Sequence, residues 1–140
     1  MIQSWNGGKR LHKESTSPPA RAGLGGISCI DSTTCVAVGT GSNGNKGLVA
    51  RLDSGHWSYQ LLGRIRPIGI ACLTSMVCLS VGEKGQYALA GEVTNHGFEN
   101  EMTGGAKAVL TGISCASTYR CFAVGIAGTS HPHSVVLASR

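Results

Sequence analysis

The sequence has few charged residues and no long helix-forming stretch. Only 14% of its 140 residues are charged, whereas glycine occurs 21 times. No segment combines many glutamate, lysine, leucine and alanine residues, so we expect many turns and little helix. Apolar runs are far shorter than the roughly 18 residues that a membrane-spanning helix needs. The first residues also lack the basic-then-apolar pattern of a secretion signal. The length is that of one domain with a real core.

Positive charge is in excess but is not arranged as in a nucleic-acid-binding protein. The net charge is +5, and part of the excess lies in the first 25 residues. Stacking aromatic residues do not alternate with these basic residues, as they would in a nucleic-acid-binding surface. We therefore expect neither a nucleic-acid partner nor membrane insertion.

A repeated motif is the strongest pattern in the chain. Gly-Ile-Ser/Ala-Cys, five further residues and Cys-x-Ala/Ser-Val-Gly occur three times, starting at Gly26, Gly69 and Gly112. The period is 43 residues. A period of roughly 40 to 50 residues with several short strands per unit is typical of a β-propeller blade. The repeat therefore predicts an all-β chain of three four-stranded blades, with strands A to D from the inside outwards.

The six cysteines form three equivalent pairs. As zinc ligands they would be spaced two to four residues apart and gathered from two half-sites. As disulfides, each pair would close a small loop at the end of a hairpin, where the strands bring the Cα atoms near bonding range. Disulfides are favoured, and each contributes about 2 kcal/mol. They indicate an oxidising compartment, extracellular or in the cell envelope. The pairs are Cys29 with Cys35, Cys72 with Cys78, and Cys115 with Cys121.

Strand B alternates large and small side chains. Val36 and Val38 face one way, whereas Ala37 and Gly39 face the other, and the later repeats keep this pattern. A blade between two neighbours needs apolar residues on both faces, whereas a sandwich strand more usually alternates apolar with polar residues. The pattern favours stacked blades.

Blade boundaries follow from the repeat. We expect one domain, residues 1–140, with blades at about 20–62, 63–104 and 105–140. Residues 1–14 would be a terminal segment, strand–turn–strand, that completes a blade. Three blades are too few to close a ring alone, so we expect a homo-oligomer, such as a homodimer of six blades, or part of a longer propeller.

Strand ends are predicted from the same repeat. In the second blade, strand D ends near Met102. Strand A of the third blade is then a separate strand that ends at Cys115.

Each turn between strands C and D carries a degenerate Ser-x-Asp-x-Gly-x-x-aromatic pattern, first at residues 4–11. An Asn or Asp side chain caps its own turn, and glycine supplies a positive φ. The predicted structural turn residues are Asn6, Gly8, Asp53, Gly55, Asn95 and Gly97.

The paired-cysteine motif and this turn together resemble the repeats of secreted bacterial propellers. These are the sialidase-like (BNR, Asp-box) and photosystem II assembly factor-like repeats. The resemblance covers essentially the whole chain. It implies a secreted Asp-box propeller, a fold that hosts both sialidases and non-enzymes.

Catalytic and metal-binding sets are incomplete in the sequence. A sialidase would need three clamping arginines, a tyrosine with a glutamate partner, and an acid/base aspartate. The only aspartates are Asp31 and Asp53, both in turns. His131 and His133 have no third ligand at a suitable spacing. We therefore expect no enzyme, no metal and no cofactor.

Binding through loops is the favoured function. The B–C and D–A loops differ most between repeats, and variable loops on a repeated scaffold often carry recognition. We expect a non-catalytic binding or scaffold module that recognises a protein or glycan. A lectin-like sugar-binding oligomer and a fragment of a sialidase-like glycoside hydrolase are the alternatives. The candidate ligand-binding residues are Asn43, Asn45, Lys46, Arg64, Arg66, Glu83, Lys84, His131 and His133.

Overall fold

The computed structural model describes residues 3–4, 7–9, 12–13, 18–75, 77–117 and 120–138. The all-β prediction is confirmed, because the helical structure in these residues is limited to a 3-10 turn, Ser42–Gly44. None of the described residues belongs to a helix long and apolar enough to cross a membrane. The strands are β1 (Gln3–Ser4), β2 (His12–Lys13), β3 (Gly23–Cys29), β4 (Thr34–Gly41), β5 (Lys46–Asp53), β6 (His56–Leu61), β7 (Arg66–Cys72), β8 (Cys78–Lys84), β9 (Tyr87–Thr94), β10 (Gly97–Ser117), β11 (Arg120–Ala127) and β12 (His133–Ala138).

The first repeat forms a four-stranded antiparallel sheet in the order β3-β4-β5-β6, as the sequence predicts. A curled six-stranded sheet in the order β7-β8-β9-β10-β11-β12 holds the second and third repeats. The predicted strand–turn–strand of residues 1–14 corresponds to β1 and β2, which pair antiparallel in a small sheet of their own. Among the described residues, no strand pairs with the outer edge of β12.

The predicted separation between strand D of the second repeat and strand A of the third is wrong. Both belong to β10, which pairs with β9 through its first part and with β11 through its second. The change of partner lies between Lys107 and Ala108, just after a shift of the β9 register between Thr103 and Lys107. Gly104 and Gly105 lie in this stretch, and no proline interrupts it. The chain therefore stays extended where a loop was expected.

The three predicted disulfides are confirmed. They join Cys29 to Cys35, Cys72 to Cys78, and Cys115 to Cys121, with Cα–Cα distances of 4.0, 3.9 and 4.0 Å. In each repeat the two cysteines lie directly opposite each other on the first and second strands. They close the hairpin at one end of each repeat.

A glycine in the second strand of each repeat faces a β-bulge in the first strand. The register shifts between Pro67 and Gly69 in the second repeat, opposite Gly82. A Cβ at Gly82 would lie 2.0 Å from the carbonyl oxygen of Arg66. The first and third repeats have the same bulge and the same close approach, at Gly39 and Gly125. The final glycine of the repeated motif is therefore required by backbone contact.

The first and second repeats pack face to face, and we call this contact the first junction. Val38 and Val49 of the first repeat meet Ile70 and Leu89 of the second in one buried cluster. Phe98 of β10 packs against the same cluster. The side chains that the alternation assigns to the large face of strand B therefore fill the junction.

The second junction, between the second and third repeats, is smaller. Its buried cluster contains Val81, Ala88, Leu110 and Ala123. In both junctions the first strand of the following repeat, β7 or β10, comes closest to the preceding repeat. Leu89 of β9 and Ala123 of β11 also contribute to the buried clusters.

Glycines of the repeated motif bring the first strands close together. A Cβ at Gly26 would lie 3.2 Å from the Cα of Gly69, and one at Gly69 would lie 3.2 Å from the Cα of Gly112. The glycine that opens each motif thus has a reason in packing, because β3, β7 and β10 approach backbone to backbone at these positions.

The turns between third and fourth strands follow the predicted chemistry in part. Ser54 and Gly55 have φ of 50° and 86°, as in the two-residue turns that match the twist of a hairpin. Ser54 Oγ donates to Asp53 Oδ1 at 3.0 Å. In the second repeat, Thr94 Oγ1 accepts a hydrogen bond from the backbone amide of His96 at 3.1 Å. Gly97 has a positive φ and Gly8 lies in a described bend, whereas Asn95 lies in the turn and Asn6 lies outside the described residues.

Candidate functional site

Four connections meet at one end of the strands, which we call the loop end. They join β4 to β5, β6 to β7, β8 to β9, and β11 to β12. The amide of Gly47 donates to the carbonyl oxygen of Gly63 at 3.0 Å, which ties the first two connections together. The amide of Ala108 donates to the carbonyl oxygen of Gln86 at 3.0 Å, which ties the third to β10. The disulfide-closed turns lie at the opposite, disulfide end.

A cleft of about 430 Å³ begins at the loop end and runs along the outer edge of the first junction. The end of β6 and the β6–β7 connection form one wall, and the end of β8 with the start of β10 forms the other. Leu62, Ile65 and Phe98 give it apolar surface. This cleft is the candidate functional site.

Cationic groups outnumber anionic ones among the polar side chains of the cleft. Lys84 Nζ lies 2.5 Å from Glu101 Oε1, so this pair neutralises itself. Arg64 is exposed and forms no ion pair or hydrogen bond with any described residue. Gln60 and His96 add side chains that can form hydrogen bonds. A ligand in the cleft therefore meets one unpaired guanidinium beside a neutral ion pair.

The structure brings some of the predicted ligand-binding residues together. Arg64 and Lys84 line the same cleft, although they come from different repeats. Arg66 Nη1 and Glu83 Oε1 are 2.5 Å apart, because these two residues face each other across β7 and β8. This ion pair stands beside the cleft and does not line it.

The remaining predicted residues lie at the loop end but outside the cleft. Asn43 Oδ1 accepts a hydrogen bond from Arg21 Nη1 at 3.2 Å, and Asn45 and Lys46 follow it in the β4–β5 connection. His133 Nδ1 lies 3.3 Å from the carbonyl oxygen of His131. Within the described ranges, no three side chains of His, Cys, Asp or Glu are grouped so that they could hold a metal ion.

The described residues with clearly perturbed pKa values, Asp31 and Arg51, have structural roles. Asp31 Oδ1 accepts hydrogen bonds from the amide and the hydroxyl of Thr33, at 2.7 and 2.8 Å. The hydrogen bond from the Thr33 amide is the main reason that the pKa of Asp31 is lowered. Burial lowers the pKa of the Arg51 guanidinium, which donates to the Thr94 carbonyl across the first junction and to Gln60 Oε1 within its own sheet. Asp31 caps a disulfide loop, and Arg51 joins two repeats.

An apolar groove of about 470 Å³ lies at the second junction. Leu79, Ile113 and Leu137 contribute to its walls. At the first junction, Phe98 fills the comparable space by packing over Gly91, where a Cβ would lie 2.2 Å from Phe98 Cε1. Among the described residues, the third repeat has no fourth strand to supply such an aromatic ring.

The sequence did not reveal three of the polar residues in the cleft. Gln60 and Glu101 lie on outer strands, and His96 lies in a turn that was assigned a structural role. No periodic pattern marks them. Glu101 reaches Lys84 because β10 pairs with β9, and this proximity depends on tertiary structure.

No protein-family model, curated protein or solved structure matches the chain.

Proposed function

We propose that this chain is a three-blade β-propeller module that binds an acidic glycan or an acidic protein segment at its loop end, without catalysis. The blade assignment is supported by three equivalent hairpin units that stack face to face, with their first strands closest together. The same geometry, with inner strands adjacent and successive sheets stacked, underlies propeller architecture.

The cleft at the first junction is the observation that carries the binding proposal. It joins two repeats and combines apolar surface with hydrogen-bonding groups, as small-ligand sites commonly do. Arg64 is its unpaired cation, and a guanidinium binds carboxylate or sulfate oxygens through two parallel hydrogen bonds. An anionic ligand therefore fits better than a cationic one.

Lys84 extends this preference. Its ammonium group is already paired with Glu101 at the surface, and such exposed pairs contribute little and are screened by salt. An incoming carboxylate or sulfate can compete with Glu101 for Lys84. Arg64 and Lys84 would then clamp the ligand from opposite walls of the cleft.

The compartment is proposed to be extracellular or in the cell envelope. Three disulfides are present, and every cysteine of the chain takes part in one. Disulfides of this kind persist in oxidising surroundings.

Two acidic probes test the binding proposal. A heparin decasaccharide represents acidic glycans, and a decameric poly-glutamate peptide represents acidic protein segments. At least one of the two probes should bind. Binding is measured by calorimetry under non-reducing conditions at about 150 mM salt, where non-specific attraction is screened. Arg64→Ala should weaken that binding about tenfold, since a charge-assisted hydrogen bond contributes about 1.5 kcal/mol.

Arg120→Ala is the matched control, because Arg120 is also exposed but lies at the disulfide end. It should leave the affinity within about twofold. Failure of both probes to bind, or an equal loss in the two variants, would reject the loop-end site.

A further inference from the structure

The third repeat carries an exposed apolar face on β11 and β12, which we call the open face. It consists of Phe122, Val124, Ile126 and Val136, whose exposed fractions are 48, 48, 51 and 66%. The three side chains of β11 alternate along the strand, and Val136 lies opposite Val124 on β12. No charged side chain interrupts these four positions. A contiguous apolar surface of this kind on a small domain is typical of an interface.

The open face is the repeat-equivalent of the two surfaces that are buried in the junctions. Val124 occupies the position of Val38 in the first repeat and of Val81 in the second, which are 0 and 2% exposed. Val136 occupies the position of Val49, which is 0% exposed. The third repeat thus presents the same surface that the other two repeats bury.

In each junction the first strand of the following repeat lies over this surface, and Leu89 of β9 or Ala123 of β11 joins it in the buried cluster. β7 packs on β3 and β4 at the first junction, and β10 packs on β7 and β8 at the second. The first repeat has such a strand, β3, and the described residues contain no repeat that packs on its outer side. Ile27 of β3 is 59% exposed, whereas its equivalent Ile70 in β7 is 7% exposed.

The described part of each chain therefore offers an open face at the third repeat and an exposed first strand, β3, at the first repeat. We propose that β3 of a second copy docks on the open face, as β7 and β10 dock within the chain. The reciprocal contact forms at the same time, so two copies close a twofold-symmetric ring in which each open face meets one β3. The docking extends the proposed propeller architecture and does not depend on the acidic ligand.

Two further positions fit the docking. Gly112 is the last of the three glycines at which first strands approach each other. A Cβ there would meet only Val124 Cγ2, at 3.3 Å, within its own chain. Gly26 and Gly69 leave room for the backbone of the next first strand, and Gly112 leaves the same room for a partner. Ser114 is exposed at the position of Ser28, whose Oγ accepts a hydrogen bond from the amide of Cys72. Ser114 can accept likewise from the Cys29 amide of the second copy.

The apolar side of the first repeat limits what can dock. Ala37, Leu48 and Ala50 are 2, 0 and 0% exposed within a single chain. The partner therefore contributes β3 rather than its whole sheet. β3 still supplies Ile27, the equivalent of Ile70, which lies in the buried cluster of the first junction.

Sedimentation velocity of the intact, non-reduced chain tests the docking. Concentrations of about 5 to 100 µM are used, because a dimer that is too weak to be specific would dissociate at the lower end of this range. Wild type should sediment as a dimer of the 14.4 kDa chain. Val124→Lys places a charge in the open face and should give a monomer. Tyr87→Lys is the control, because Tyr87 is 44% exposed on β9 and lies away from the open face, and this variant should remain dimeric.

Two more variants separate a lost contact from a folding defect. Gly112→Ala adds one methyl group where the partner backbone should approach, and it should raise the dimer dissociation constant at least tenfold. Val124→Lys combined with Ile27→Glu should restore the dimer, because Val38 and Ile70 share the buried cluster of the first junction. Circular dichroism should be the same for all variants.

A wild-type monomer would overturn the docking, as would a dimer that survives both Val124→Lys and Gly112→Ala. Assemblies larger than a dimer would overturn the closed two-copy ring. Neither result would affect the test of Arg64, because ligand binding and native mass are measured separately.

Discussion

The backbone amide of Cys72 donates a 3.0 Å hydrogen bond to Ser28 Oγ, across the first junction. The two residues belong to different repeats, and neither the motif nor its period predicts their contact. The bond fixes the height of β7 against β3. It therefore couples the register of two sheets that are also joined by apolar packing and by the hydrogen bond from Arg51 to the Thr94 carbonyl.

Replacing Ser28 tests this coupling. Ser28→Ala removes the acceptor and leaves the amide of Cys72 without it, so the free energy of unfolding should fall by about 1 to 2 kcal/mol. Urea unfolding under non-reducing conditions measures the loss. Ser58→Ala, at an exposed position on β6, should change the value by less than about 0.5 kcal/mol. Equal effects in the two variants would show that the inter-repeat bond contributes nothing.

The second junction lacks the same bond because Ala71 stands at the equivalent position. Ala71→Ser supplies a hydroxyl that can accept from the amide of Cys115, and it should raise the free energy of unfolding by up to about 1 kcal/mol. Crystal or NMR structure determination of the variant should find the introduced hydroxyl oxygen within about 3.2 Å of the Cys115 amide nitrogen. A destabilised variant would mean that the two junctions differ in geometry.

The bulge glycines should tolerate no side chain. A Cβ at Gly82 would lie 2.0 Å from the Arg66 carbonyl oxygen and 2.9 Å from Pro67 Cα, and both atoms belong to backbone that cannot move aside cheaply. Gly82→Ala should cost about 3 kcal/mol or more. Gly63→Ala is the control, since a Cβ there meets no atom within 4 Å. Thermal unfolding compares the two, and a Gly82 variant as stable as the Gly63 variant would refute the bulge.

Asp31 should titrate at a lower pH than an ordinary aspartate. Its pKa is lowered by the Thr33 amide first and the Thr33 hydroxyl second. A lowered folded-state pKa means that this group's contribution to stability is present above the unfolded pKa and is lost as the pH falls through the folded pKa. NMR titration of the Asp31 carboxyl carbon should give a midpoint below that of an ordinary aspartate. Thr33→Ala removes the hydroxyl donor and should raise this midpoint. A midpoint at the ordinary value in wild type would contradict the capping bonds.

Sequence reasoning captured the local structure better than the tertiary contacts. Cys29 and Cys35 mark the end of a hairpin, and every copy of the motif has the same pair of cysteines. The strands and disulfides could therefore be predicted from the repeat. The continuity of β10 depends on whether the stretch from Thr103 to Lys107 stays extended between two neighbouring sheets, and the local sequence does not decide that. Arg64 and Lys84 were chosen from their loops, whereas their common cleft arises only when two repeats pack.

Hydrogen exchange with and without the bound acidic probe tests the binding account most directly. The account predicts added protection at the loop end, in residues 62–66 and 84–87, where the cleft of the first junction begins. It predicts unchanged exchange in the disulfide turns at residues 30–34 and 73–75. Protection confined to the disulfide turns, or spread evenly over the chain, would contradict a loop-end site.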